Sequence, residues 1–283
     1  MILIADGGST KTHWLIADSG RVLVETLGMN PVHQSQEQMA GIVAEELLPH
    51  IGEPSAVERV CFYGAGCAGS GAERMERLLR GFFPNAVVEV GSDLLGAARA
   101  LFADGEGIAC ILGTGANSGL YDGHGIVANT PPLGYILGDE GSGAYLGIAL
   151  LNALYKGRLP REVAEAFGRE THLTYEEVIG YVYREPMANR FLASLAPFVC
   201  RHLDVPEVAR LADEAFDCFL ERNVRPYGRR DLPVGFVGGV AWSFREQITK
   251  AVERAGMRMG PVVKSPLQLP PLGERRTPPD LPL

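Results

Sequence analysis

The chain has no excess of basic residues. Its 26 Lys and Arg stand against 34 Asp and Glu, a formal net charge of −8. That balance repels polyanions, so a nucleic-acid or anionic-membrane partner is not expected. Cysteine is sparse and odd in number: Cys61, Cys67, Cys110, Cys200 and Cys218, with no C-x-x-C. A disulfide framework is therefore not expected, and reduced thiols fit a cytoplasmic protein. The six histidines show no zinc-ligand spacing. No apolar run reaches the ~20 residues of a membrane span. The first six residues lack a basic region and end in Asp6, which reads as a strand rather than a signal peptide. There is also no G-x-x-x-x-G-K-[ST], which removes the P-loop NTPases.

What the chain has in quantity is glycine, 35 of 283 residues, without a collagen period or a Gly/Ser linker. Such glycines belong where backbone turns sharply or approaches something closely. Hydrophobic residues at 46% and charged residues at 21% describe a folded protein. At roughly 150 residues per domain, the length favours two domains.

Periodicity orders the chain as follows. Strands are expected at 2–6, 13–18 and 21–26, a helix over 35–49, a strand at 57–63, a helix over 72–83, a strand at 86–90 and a helix from Asp93 to about residue 101. Three more strands follow at 107–112, 118–121 and 125–129, then a helix over 141–155. Helical periodicity fills 160–224, followed by a strand at 232–236 and a helix over 241–255. Each half thus opens with strand, Gly-rich turn, strand, turn, strand, which suggests an internal repeat. Residues 266–283 hold six of the nineteen prolines and no periodic pattern, so they are expected to add little to a core.

Three Gly-rich turns carry chemical interest. Asp6-Gly7-Gly8-Ser9-Thr10-Lys11-Thr12 ends a strand in an acid and follows it with glycines, hydroxyls and a cation. It suits a polyphosphate with Mg²⁺ on Asp6, or is a hairpin turn with a solvated acid and lysine. Leu112-Gly113-Thr114-Gly115-Ala116-Asn117-Ser118-Gly119 holds the same place in the second half, and the pairing favours two loops clamping one nucleotide. Gly64-Ala65-Gly66-Cys67-Ala68-Gly69 matches the dinucleotide fingerprint, but that fold leaves the other two turns unexplained; a loop lining a substrate pocket is the preferred reading. Asp93 is either an acid at a helix N-terminus or a general base at a strand-to-helix junction. Asp139 and Glu140 are sugar or metal-shell ligands, or helix caps. Val237-Gly238-Gly239-Val240-Ala241 permits close approach of adenine or ribose, or close helix–strand packing.

Together these segments stand in the order of phosphate-1, phosphate-2 and adenosine motifs. The chain resembles the sugar kinase/actin-like ATPase superfamily. Gly28-Met29-Asn30-Pro31, Ser92-Asp93 and Gly134-Tyr135-Ile136-Leu137-Gly138-Asp139-Glu140-Gly141-Ser142 narrow the likeness to the N-acetylglucosamine kinase-like group of the BadF/BadG/BcrA/BcrD ATPase family, over about residues 2–266. The resemblance implies an α/β protein of two ribonuclease H-like (actin-like ATPase) domains flanking a nucleotide/sugar cleft. These would span 1–103 and 104–265, the second with a helical insertion, ahead of an irregular proline-rich tail at 266–283. It implies ATP and Mg²⁺ as cofactors. Asp6 would organise the metal; Gly7, Gly8, Ser9, Thr10, Lys11, Thr12, Gly113, Thr114 and Gly115 would hold phosphates; Gly238 and Gly239 would approach the adenosine. Asp93 would take the proton from the sugar 6-hydroxyl. Asn117 and Asp139 would bind sugar hydroxyls, with Asn30 and Gly66 at the same sugar pocket.

The implied function is an ATP-dependent kinase acting on the 6-hydroxyl of an amino sugar, N-acetylglucosamine first, with glucosamine or another hexose as the other acceptors. A homodimer is expected from the family alone. Two further functions belong to the superfamily. An ATPase activator of a 2-hydroxyacyl-CoA dehydratase or benzoyl-CoA reductase needs a thiolate-held iron–sulfur cluster; Cys61 and Cys67 are the one close pair, and their spacing does not suit it. A sugar-responsive regulator carries a DNA-binding helix-turn-helix ahead of the first phosphate motif, and a first strand at residue 2 leaves no room for one. The family usually closes with a helix, from which the proline-rich end departs.

Overall fold

A computed structural model describes residues 1–8, 11–18 and 20–268. Consecutive apolar residues at the start of the chain fit a strand covered on both faces. In β1 (Ile2–Gly7), Leu3 and Ala5 enter one core and Ile4 another. The strand pairs antiparallel with β2 (Lys11–Ala17), which pairs antiparallel with β3 (Arg21–Leu27). On its other side β1 pairs parallel with β4 (Arg59–Gly64), and β4 with β5 (Val87–Ser92). The sheet order is β3-β2-β1-β4-β5.

On one face lie α1 (Gln36–Ile42) and α2 (Ser70–Phe82), whose Met39, Met75 and Leu79 share a buried cluster with Leu3, Trp14 and Phe62. On the other lies α3 (Asp93–Phe102), with Leu95 packed on Ile4, Leu15, Cys61 and Tyr63. The helix expected over 35–49 is shorter than its periodicity. Ser35 caps α1 in a capping box with Gln38, but beyond Ile42 the chain widens to a π turn, Val43–Leu47, and tightens to a 3-10 turn, Leu48–His50. Pro49 has no N–H to continue an α ladder.

The chain divides into two compact units, and residues 265–268 belong with Met1–Asp104 rather than with Gly105–Lys264. Leu267 is 8% exposed in the cluster of Ile4 and Tyr63, and its carbonyl accepts from Arg21 at 3.1 Å. The proline-rich tail, expected to add little to a core, therefore places its second residue in one. Most of that tail lies outside the described residues.

The second unit repeats the first in topology. β6 (Gly107–Leu112), β7 (Ala116–Tyr121) and β8 (Ile126–Ala128) form an antiparallel meander. β9 (Pro233–Val237) and β10 (Arg258–Val263) extend it in parallel, giving the order β10-β9-β6-β7-β8. Strand for strand this is the arrangement of the first sheet. Between β8 and β9 run α4 (Gly134–Leu137), α5 (Gly143–Tyr155), α6 (Arg161–Thr171), α7 (Tyr175–Tyr183), α8 (Ala188–Ala193), α9 (Ala196–Arg201) and α10 (Pro206–Phe219). Then α11 (Gly239–Ser243) and α12 (Arg245–Arg254) replace the single helix expected over 241–255. Phe244 breaks it: its ring is 1% exposed and meets Phe216 at 5.6 Å, while its backbone leaves the helix at φ −107°, ψ 23°. β10 has no counterpart in the sequence reading, because Gly260-Pro261 interrupts its apolar run. It is an edge strand with a register shift between Met259 and Val262, where a missing donor is tolerated.

Both sheets press parallel strand ends together without room for a side chain. A Cβ on Gly7 would lie 2.7 Å from Phe62 Cζ, and one on Gly64 2.6 Å from Phe62 Cε1. Gly238, just past β9, has φ +128°, and its Cβ would lie 2.2 Å from the Leu112 carbonyl oxygen. Gly238→Ala is expected to cost about 2–3 kcal/mol in chemical denaturation, from strain and overlap combined. Gly239→Ala, whose Cβ meets nothing within 4 Å, is expected to stay close to wild type.

Candidate active site

Parallel register sets Gly7, Gly64 and Ser92 side by side at the carboxyl ends of β1, β4 and β5. Loops leaving this edge are where α/β sheets place chemistry. Asp6 sits one residue before this edge and Asp93 one residue after it. The Asp6 carboxyl is pushed up from 3.8 to about 6, chiefly by burial; His13 opposes this, Asp93 adds to it, and a hydrogen bond from Ser265 opposes it. Burial also raises Asp93, against hydrogen bonds from the backbone of Leu94 and from its own N–H. Asp93 is enclosed by protein yet keeps part of its surface open to solvent. The capping role belongs to its neighbour: Ser92 Oγ accepts from Leu95 N at 3.2 Å and caps α3, while Asp93 Oδ1 accepts from Leu94 N at 2.8 Å.

The rest of the first motif is hairpin and scaffold. Gly8 N donates to Lys11 O at 2.9 Å and closes the β1–β2 turn. Ser9 and Thr10 lie outside the described residues. Lys11 is paired across the strand with Glu25, which also meets His13 at 3.3 Å. Thr12 is fully buried, and its hydroxyl accepts from Met29 N at 3.2 Å. Its side chain therefore anchors the loop over 28–34. In that loop Asn30 Oδ1 accepts from Val32 N at 2.9 Å, and a Cβ on Gly66 would lie 2.4 Å from the same oxygen. Asn30 and Gly66 are thus brought together. Cys67, next to Gly66, is pushed up to about 12 by burial and by Asp93, and burial moves Cys61 to about 11. Without a metal, such thiols stay protonated at neutral pH and are poor nucleophiles.

In the second unit, the turn between β6 and β7 is tied to the start of α5. Gly143 N donates to Gly113 O at 2.8 Å and Ala144 N to Thr114 O at 3.1 Å, with Ser142 as the cap. Asp139 closes the same turn. Its Oδ1 accepts from Ala116 N at 3.2 Å, and a Cβ on Gly115 would lie 2.9 Å from its Oδ2. Its backbone is left-handed at φ +52°, a conformation a non-glycine residue holds only under local constraint. Burial raises its carboxyl, the Ala116 N–H lowers it and Glu140 raises it. Glu140 is the structural partner: its buried carboxylate accepts from Arg222 and Asn223, each at 3.0 Å. A cavity of about 620 Å³, within the range of ligand pockets, is lined by Gly113, Thr114, Pro197, Gly239, Val240 and Lys264 among others. The second phosphate motif and the adenosine motif thus share one cavity. Gly239 lines it, whereas Gly238 is pressed on Leu112. Lys264, Ser265 and His13 were not singled out from the sequence, since no spacing marks them.

A solved structure from Porphyromonas gingivalis, of a candidate N-acetylglucosamine kinase, aligns at TM-score 0.91 and 47% identity over 95% of this chain and 96% of its own. The chain belongs to the N-acetylglucosamine kinase-like family. This family lies in the sugar kinase/actin-like ATPase superfamily, and the two sheets are its paired ribonuclease H-like domains. The chain is accordingly a kinase. A candidate N-acetylglucosamine kinase structure from Chromobacterium violaceum shares the fold at TM-score 0.69 and 21% identity, over 92% of this chain and 94% of its own. An N-acetylmuramic acid/N-acetylglucosamine kinase of Clostridium acetobutylicum is 28% identical over 212 residues, 69% of this chain and 68% of its own. No family model matches the chain. Among the described residues, no helix of this kinase is long and apolar enough to cross a membrane.

The raised Asp6 carboxyl has a consequence for stability. Unfolded, it titrates near 3.8; folded, near 6. Ionisation therefore opposes folding progressively between these values, fully above the higher and not at all below the lower. In metal-free buffer Asp6→Asn is expected to stabilise the protein by about 1–3 kcal/mol at pH 7.5, with the gain gone by pH 3.5. Denaturation curves at the two pH values check this.

Proposed function

We propose that the protein transfers the γ-phosphoryl group of ATP to the 6-hydroxyl of an N-acyl hexosamine, with N-acetylglucosamine as the leading acceptor. The observation that carries the reading is the carboxylate pair at one sheet edge, Asp6 and Asp93, both raised by burial, with helix capping left to Ser92. A carboxylate with raised basicity and solvent access is suited to accept a hydroxyl proton as general base. Phosphoryl transfer asks little more of the protein than alignment and charge neutralisation. The amino-sugar acceptor is supported by the names of the Porphyromonas and Clostridium relatives.

The donor set fits Mg²⁺. That ion prefers hard oxygens and takes only one or two carboxylates beside water and phosphate. Asp6 supplies such an oxygen, and a buried carboxylate whose proton affinity is raised by the Asp93 charge favours a cation nearby. Among the described residues no group of three or more His, Cys, Asp or Glu builds an all-protein metal cage. Asp6 would hold the ion, which when bound neutralises charge on the β- and γ-phosphates. The cavity behind Gly113, Thr114 and Gly239 suits a nucleoside with its phosphates on the turn, Lys264 adding a cation. Asp139 and Asn117 serve sugar hydroxyls in this reading, as do Asn30 and Gly66.

The test is a panel of glucose, glucosamine, N-acetylglucosamine, N-acetylmannosamine and N-acetylmuramic acid with Mg-ATP. The expected result is one ADP per sugar phosphate formed, fastest with N-acetylglucosamine. Asp93→Asn is expected to lower kcat by about 10²–10⁴ while sugar affinity stays within about tenfold, because a base acts mainly in the transition state. An inactive wild-type protein on the whole panel, or an Asp93→Asn variant with wild-type kcat, would overturn the proposal.

A further inference from the structure

Asn117 lies on β7, partly open to solvent. Two donors already meet its Oδ1: the Ser118 backbone N–H at 2.9 Å and Asn129 Nδ2 at 2.9 Å. The orientation of Asn129 is equally constrained. Its Nδ2 also lies 2.6 Å from the Ser118 carbonyl oxygen and 3.4 Å from that of Thr130. Carbonyl oxygens only accept, so the amide nitrogen of Asn129 must face them. A backbone N–H only donates, so the amide oxygen of Asn117 must face Ser118. Backbone groups of known polarity thus assign both amides, which atom positions alone do not.

The surroundings keep this pair in place. The Tyr227 hydroxyl accepts from Thr130 N at 2.9 Å and meets Ser118 Oγ at 2.8 Å, while Ser118 Oγ donates to Asn223 O at 2.9 Å. Asn223 in turn holds Glu140, the residue after Asp139. Ser118, Asn223 and Glu140 are all buried. Asn129 is itself exposed and Asn117 partly so; the pair sits on the rim of this buried network and is tied to it through the Ser118 backbone N–H and carbonyl.

We infer that Asn129 is a positioning residue that locks the Asn117 amide, so that Asn117 Nδ2 meets the acceptor sugar as a hydrogen-bond donor. The recognised atom is a substrate oxygen with a lone pair, in a hydroxyl or an acyl carbonyl. A hydroxyl bound this way must direct its own hydrogen to a different acceptor. This inference rests on the proposed kinase function and adds the polarity of one sugar contact.

The experiment is a double-mutant cycle read as sugar KM, ATP KM and kcat with N-acetylglucosamine. Asn117→Ala is expected to raise sugar KM about tenfold, the loss of one hydrogen bond. Asn117→Asp, nearly isosteric and unable to donate at neutral pH, is expected to raise it at least as much with an unchanged melting temperature. Asn129→Ala is expected to raise sugar KM about fivefold, with kcat and ATP KM within about twofold. Asn129→Ala placed on Asn117→Ala should add nothing, since the amide it orients is gone. Additive effects, or an Asn117→Asp enzyme with wild-type sugar KM, would overturn the inference while leaving the kinase reading intact. Should Asn129→Ala fail to fold, Asn129→Asp, which cannot donate to Asn117 Oδ1 at neutral pH, is read in its place with the same expected rise in sugar KM. A wild-type protein that phosphorylates no sugar would end both.

Discussion

Two parallel strands that lie side by side and come so close at their carboxyl ends that no side chain fits there set up everything else in each unit. In the first, Gly7 and Gly64 are level and leave Phe62 no space for a Cβ on either. That contact fixes the height at which β1 and β4 stop, and β5 follows in register. Asp6 and Asp93 then stand at one edge because the strands end there together. In the second unit Gly238 presses on the Leu112 carbonyl at the matching place. The β9 end meets the β6–β7 turn, and Gly113, Thr114 and Gly239 come to line one cavity. A duplicated topology thus uses one packing solution twice, for an acidic site in one unit and a ligand pocket in the other.

The acidic site is maintained against its own stability. Burial raises both Asp6 and Asp93, and the Asp93 charge raises Asp6 further, so their ionised forms weaken the fold at neutral pH. His13 and Ser265 offset part of this at Asp6. Ser265 comes from the far end of the described chain, where Leu267 enters the first unit's core. Ser265, the last residue before the segment that reads as a tail, therefore supports the first carboxylate of the site. Strongly perturbed groups gathered at strand ends are a mark of function, because selection for stability alone removes them.

Much of this was legible in the sequence, and the failures have local causes. The meanders, the Gly-rich turns and Asp93 at a helix start follow from apolar runs and turn residues, and their positions hold to within a few residues. The repeat was readable because both halves place a Gly-rich turn after their first strand. β10 was missed because Gly260-Pro261 breaks the strand pattern, and only its place at the sheet edge makes that harmless. The break at Phe244 was missed because its ring obeys the tertiary core while its neighbours obey helical periodicity. Thr12 and Gly238 were read as ligand contacts on motif position; buried packing now accounts for the Thr12 hydroxyl and for the absence of a side chain at Gly238. Ser265 and Asn129 left no signal, since hydrogen bonds between distant residues have no fixed spacing.

In the proposed reaction this edge of carboxylates directs the phosphoryl group to a sugar hydroxyl rather than to water. Two-dimensional ³¹P–¹H NMR of the product from N-acetylglucosamine and Mg-ATP tests it most directly. The expected product is a single phosphomonoester coupled to the two C6 protons, with ADP in equal amount. Inorganic phosphate without sugar phosphate, or a phosphate coupled to the anomeric proton, would contradict it.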